Sequence, residues 1–142
     1  MTCKQSDAPD ECGCTLELIW DEGLNATALT GASSSICVGP AMNLLPHHLL
    51  ALAASSSLMT AFLDLAGAAR VPVQGYVSSA RLDYRGDGDP ELALAPCVVV
   101  SSQDDAQCVA KLWPEAVERS PALRILRHRL RVEPTVRVAA PV

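Results

Sequence analysis

The feature that most limits the fold is a change of period: short segments alternating with period two give way, at Pro46, to one long segment of period 3.6. From His47 to about Ala68 the stripes Leu49, Leu52, Met59, Leu63 and Leu50, Leu58, Phe62, Leu65 cover more than one face, which predicts a helix buried nearly all round. Pro46 suits a first helical turn, where no donor is lost, and Asn43 just upstream is a turn or cap residue. Ala53, Ala54, Ser57 and Ala61 form a small-residue face that admits close approach by another element. The longest uncharged apolar stretch, Leu49 to Leu63, is 15 residues and carries three consecutive serines. A spanning helix needs about 20 apolar residues, so this one is expected in a core.

Strand-like segments flank the helix. Thr15 to Trp20 alternates with period two, Asp21-Glu22-Gly23 is a turn, Leu24 to Gly31 resumes the extended pattern, and Ser35 to Val38 is stopped by Gly39-Pro40. After the helix, Val71 to Tyr84 and Leu92 to Val100 read as two strands around the turn cluster Gly86-Asp87-Gly88-Asp89-Pro90. The two aspartates there lack the glutamate of a calcium loop, so a hairpin turn is the reading. Asp104 and Asp105 start a second helix with Ala106, Val109, Ala110, Trp113, Ala116 and Val117 inward and a kink at Pro114. A short turn of helix follows Ser120-Pro121 through Leu126, then a final strand, Leu130 to Val138, broken at Pro134. The order predicts an α+β fold with an antiparallel sheet around a long buried central helix.

At 142 residues and 49% hydrophobic the chain has material for one core, expected over 15–142, with 1–14 as a polar tail. Lys4, Asp7, Asp10 and Glu11 stand where a signal peptide needs an apolar run, which reads as a cytoplasmic protein. The formal charge of −5 argues against a nucleic-acid or anionic-membrane partner. Six arginines fall between Arg119 and Arg137, and Arg127, Arg129 and Arg131 alternate at strand period, which predicts a solvated sheet face. Six cysteines are expected as free thiols in a reducing compartment. Cys37, Cys97 and Cys108 read as small buried hydrophobes, whereas Cys3, Cys12 and Cys14 leave open a thiolate metal site with no evident fourth ligand. No metal or cofactor is expected in the main reading.

The segment Pro46-His47-His48-Leu49-Leu50-Ala51-Leu52-Ala53-Ala54-Ser55-Ser56-Ser57 resembles the Pro-x-Glu-Leu-Leu-x-Ala-Ala-x-Ala-x-Cys element of the OsmC/Ohr family, osmotically inducible protein C and organic hydroperoxide resistance protein. Val73 to Asp83 is similar to the family's next strand, and Glu118-Arg119-Ser120-Pro121-Ala122-Leu123 to its Ala-Glu-x-x-Cys-Pro-Val element. The resemblance covers roughly residues 15–138 and implies an intertwined homodimer with sites at the interface. It implies a cysteine thiolate that attacks the terminal oxygen of an organic hydroperoxide, and a second cysteine that resolves the sulfenic acid to a disulfide reduced by a dithiol. By that resemblance Ser57 stands at the first cysteine, Ser120 at the second, and His47 or His48 at the family's glutamate. No arginine precedes Arg70, so the family's activating cation is missing too. A serine hydroxyl has no sulfenate or disulfide chemistry, so the two-cysteine cycle has no counterpart in these residues.

Plainer readings exist for each residue. On one helix His47 and His48 lie ten and nine residues from Ser57, about 13–15 Å along the axis, too far for a serine–histidine pair within the chain. Mid-helix, Ser57 bonds back to a carbonyl; Ser120 before Pro121 is a preferred N-cap with proline at N1. The reading that remains is an OsmC-like small-ligand binder, with a small anionic or peroxide-like ligand expected near the Ser120 helix start beside Arg119 and Arg124. Its alternatives are a hydroperoxide reductase using a relocated cysteine and a thiol-rich metal binder.

Overall fold

The structure, a computed structural model, describes residues 16–30, 34–42, 44–83 and 88–139. Cys3, Cys12, Cys14, Asn43, the 1–14 tail and the Tyr84–Asp87 part of the turn cluster lie outside the described residues. The chain divides into two compact units, one ending at Leu49 and one starting at Leu50.

The first unit is a three-stranded antiparallel sheet in the order β1 (Leu16–Glu22), β2 (Asn25–Thr30), β3 (Ser35–Val38). Gly23 makes the β1–β2 turn at φ +56, and Trp20 Nε1 donates to its carbonyl at 2.9 Å. Gly39, at φ +134, ends β3 where a Cβ would collide with Asn25 Oδ1 and lie 2.7 Å from the Leu24 carbonyl. Only glycine fits there. Leu16, Leu18 and Trp20, on one face of β1, are 66%, 70% and 72% exposed, so this strand carries an apolar face.

The long helix is present as α1 (Pro46–Ala68), and it is long and apolar enough to cross a membrane by length and composition. Its burial is narrower than the sequence predicts. One stripe, Ala54, Leu58, Ala61, Phe62, Leu65 and Ala66, is buried, whereas Leu50, Leu52 and Leu63 are exposed. The reason is the number of covering elements: packing takes one stripe of a helix, and an all-round apolar helix needs neighbours on every side.

The second unit builds its sheet from β4 (Val73–Asp83), β5 (Glu91–Val100), β6 (Leu130–Val132) and β7 (Thr135–Val138). β4 pairs with β5 antiparallel, but β6 and β7 both pair with β5 in parallel, so this sheet is mixed rather than wholly antiparallel. A proline in the central strand explains the break. The Leu94 carbonyl accepts from Glu133 N and that of Val100 from Ala139 N, both at 2.8 Å, so even-numbered residues of β5 present their backbone to the parallel side. Buried Pro96 is even-numbered and has no donor to present. It falls between the β6 register, which ends at Leu94↔Val132, and the β7 register, which begins at Cys97↔Thr135. Pro134 occupies the opposing gap, and two residues without N–H groups share the one interruption.

Two sequence expectations are corrected here. The second helix is not one kinked helix but two, α2 (Gln103–Ala110) and α3 (Trp113–Arg119), with Pro114 in the first turn of α3 where it costs no hydrogen bond. The alternating arginines do not share a sheet face: after α4 (Pro121–Leu126), Arg127–Arg129 form a 3-10 turn and only Arg131 lies on a strand.

Arg131 has a different task. Asp83 and Glu91 are register partners at the ends of β4 and β5, and like charges in that position repel. The Arg131 guanidinium reaches Asp83 at 2.6 Å, Glu133 at 2.7 Å and Glu91 at 3.7 Å, and Arg81 adds a contact to Asp83 at 3.5 Å. The hydrogen bond from Arg131 holds the Asp83 carboxyl below the usual carboxylate range, and the charges of Arg81 and Arg131 add to it. A carboxyl lowered by folding contributes stability above its unfolded pKa, and that stability is lost as pH falls through the folded value. Thermal melts from about pH 5 down to about pH 2 should therefore show a steeper fall in Tm for the wild type than for Asp83→Asn. Equal slopes would exclude this ion pair as a source of acid sensitivity.

Candidate functional site

Along α1, Ala54, Ser57, Leu58, Ala61, Phe62 and Leu65 recur at three and four, so Ser57 sits within the buried stripe. On the facing element Trp113, Ala116 and Ser120 are buried at the same spacing. The Phe62 and Trp113 rings stack with centroids 4.2 Å apart and planes 13° apart. Ser57 Oγ and Ser120 Oγ are 2.5 Å apart, a hydrogen bond across 63 residues of sequence. The order of the two contacts is reversed along the two elements, so α1 and α3 meet in opposite chain directions. An aromatic stack marks one end of the contact and a hydroxyl pair the other.

Ser120 joins two helices. Its N–H donates to the Ala116 and Val117 carbonyls at 3.1 and 3.3 Å, closing α3. Its side chain accepts from Leu123 N at 3.4 Å and caps α4, with Pro121 behind it in the first turn, as its sequence predicts. Its fractional exposure is zero, and Ser57 is half-buried. The mid-helix carbonyl bond expected of Ser57 is replaced by the bond to Ser120.

Neither hydroxyl has a base or an acid within hydrogen-bond reach among the described residues. The pair can donate and accept hydrogen bonds, but nothing here strips a proton from it. His48 is occupied elsewhere: its Nδ1 accepts from Leu45 N at 3.1 Å, the reciprocal half of a capping box at the start of α1. His47 is exposed and meets the His48 ring edge-on at 4.4 Å. Of the two arginines expected beside Ser120, Arg119 is paired with Glu115 at 2.8 Å, whereas Arg124 has no carboxylate partner among the described residues.

Cys97 and Cys108 are free and half-buried, while Cys37 is exposed instead of buried as its apolar strand suggests. It shares a cavity of about 210 Å³ with Asp21, Glu22, Asn25 and Met42 in the first unit. Among the described residues no three or more His, Cys, Asp or Glu side chains assemble to hold a metal ion. What sequence reasoning missed is the polar strain beneath the aromatic stack. Tyr76, whose ring lies 6.4 Å from that of Trp113, has its hydroxyl buried without a partner, and burial pushes its pKa up to about 12. Trp113 Nε1 is likewise unpartnered.

No protein-family model matches the sequence, and no curated protein matches it. Solved structures do match. An OsmC-like protein from Mycoplasma pneumoniae superposes with a TM-score of 0.73 at 12% identity, over 92% of this chain and 99% of that one. An OsmC-like protein of unknown function from Vibrio cholerae gives 0.68 at 18% identity, over 89% and 99%. The organic hydroperoxide resistance protein OhrB of Bacillus subtilis gives 0.63 at 13% identity, over 88% and 98%. The chain has the OsmC-like α+β fold, along nearly the whole length of each of these proteins.

Proposed function

We propose that residues 15–142 form one OsmC-like domain of a cytoplasmic homodimer, and that the protein binds a small ligand at the Ser57–Ser120 pair instead of reducing hydroperoxides. The observation that carries this reading is the 2.5 Å contact between the two hydroxyls. The fold is shared with hydroperoxide resistance proteins, and the two serines that the sequence resemblance sets at the family's cysteine positions meet side chain to side chain. The half-buried Ser57 hydroxyl, held by the buried Ser120, is the member of the pair that a ligand can reach, and neither hydroxyl can cycle through sulfenic acid and disulfide. His47 stands at the place of the family's glutamate by the same resemblance. The exposed apolar side chains on one face of β1 support the dimer, since contiguous exposed apolar residues on a sheet mark an association surface.

The test is consumption of cumene hydroperoxide by the purified wild type with a dithiol reductant, followed by intact mass. No turnover and no oxidised cysteine is the expected result. Turnover with oxidation at Cys37, Cys97 or Cys108 would replace this reading with a reductase that uses a relocated thiol. Metal carried through purification and lost on substituting Cys3, Cys12 and Cys14 would replace it with a thiol metal binder.

A further inference from the structure

Arg81, Arg119, Arg129 and Arg131 are all in ion pairs. Arg124 and Arg127, like Arg70, Lys111 and Arg137, have no carboxylate partner among the described residues, and they are the two of these that share a depression. These two arginines, with Pro121 and Ile125, line a surface depression of about 330 Å³. Ile125 is 84% exposed, the highest of the exposed large apolar side chains. It stands between the two guanidiniums in sequence and shares the depression with them.

We propose that this depression binds a small organic anion: a carboxylate or phosphate head held by Arg124 and Arg127, and a compact apolar body laid on Ile125 and Pro121. Guanidinium groups stay charged at all physiological pH and present paired donors that match the oxygens of either head. Repulsion between two unpaired cations at positions i and i+3 is relieved by one anion between them. The exposed isoleucine and proline ring supply apolar area that water covers in the free protein. The volume is at the low end of ligand pockets, which limits the body to about the size of one ring. All four lining residues come from α4 and the turn after it, so the ligand is gripped from one side and the affinity is modest. The site uses neither Ser57 nor Ser120, and it stands or falls apart from the reading of that pair.

The probes cross the two features: phenyl phosphate and benzoate carry head and body, inorganic phosphate the head alone, and benzyl alcohol the body alone. Titrations of the full chain, followed by NMR at the Ile125 methyl groups, should saturate for phenyl phosphate or benzoate with a Kd of about 1 mM. Whichever of the two binds tighter identifies the head. Inorganic phosphate and benzyl alcohol should bind at least about tenfold more weakly. Arg124→Gln with Arg127→Gln should cost at least about tenfold, Ile125→Ala should remove the preference over inorganic phosphate, and Arg137→Gln should change nothing. The proposal is overturned by equal binding of phenyl phosphate and inorganic phosphate, which is charge attraction alone, or by shifts that leave Ile125 untouched. Sedimentation in which Ile125→Glu separates copies of the chain would also overturn it, by making this face a protein interface.

Discussion

Ser57→Cys combined with Ser120→Cys is expected to form a disulfide and to consume hydroperoxide, an activity that the proposed function assigns to this variant and not to the wild type. The geometric half of the argument is direct. Hydroxyl oxygens 2.5 Å apart are close to the roughly 2.05 Å of an S–S bond, so sulfur atoms at the same two positions come within bonding reach. Closing a loop between positions 57 and 120, 63 residues apart in sequence, stabilises the oxidised form by about 4 kcal/mol on the chain-entropy account. Oxidation should therefore lower the mass by about 2 Da and raise Tm, and a reductant should reverse both changes. The chemical half follows from the atoms. The thiolate introduced by Ser57→Cys attacks the terminal peroxide oxygen, breaks the O–O bond and releases the alcohol; the second thiol then displaces water from the sulfenic acid, and a dithiol takes up the disulfide. The Ser57→Cys variant alone should stop at the sulfenic acid. Without an arginine before Arg70 to favour the thiolate, turnover should be slow and should rise with pH as the thiol ionises. A double variant that folds with native Tm but never forms the disulfide would remove the correspondence between this pair and a two-cysteine centre.

The α+β order and the long helix were legible because period and turn chemistry are local properties. So was the α4 cap, since Ser120-Pro121 announces itself in two adjacent residues. The juxtaposition of Ser57 with Ser120 came from resemblance, not from any local signal: nothing near either serine points to the other. What local patterns misjudged depends on partners. The sequence of α1 shows apolar residues on every side but cannot show which side is covered, and Leu52 at 61% exposure is a consequence of packing. The mixed sheet was hidden for a similar reason. Pro134 marked an interruption in the last strand, but its match to Pro96 on a different strand, and the parallel pairing on either side, required the register. The arginine stripe failed because period-two spacing in a short segment also fits a 3-10 turn, and the compact Arg127–Arg129 turn was the one adopted.

The stack that holds α3 on α1 should matter as much to the site as the serines. Trp113→Ala is expected to cost roughly 3–5 kcal/mol, since it empties a fully packed aromatic position against Phe62 and leaves a cavity next to Tyr76. Trp113→Phe separates packing from polarity. It keeps a ring on Phe62 and removes an indole N–H that is buried without a partner, so the lost area is offset by relief of an unsatisfied donor and the change should stay within about 1.5 kcal/mol. Denaturant melts of the two variants give the comparison. If Trp113→Phe is as damaging as Trp113→Ala, the indole N–H has a partner in solution and the burial argument is wrong. The consequence for the site is geometric. Trp113, Ala116 and Ser120 lie on one face of the same element, so freeing the tryptophan end lets the serine end move away from Ser57. Introduced into the double-cysteine chain, Trp113→Ala should therefore slow disulfide formation while Trp113→Phe leaves it near the parent rate. That ordering ties the hydroxyl contact to the packing of α1 on α3 and not to the serines alone.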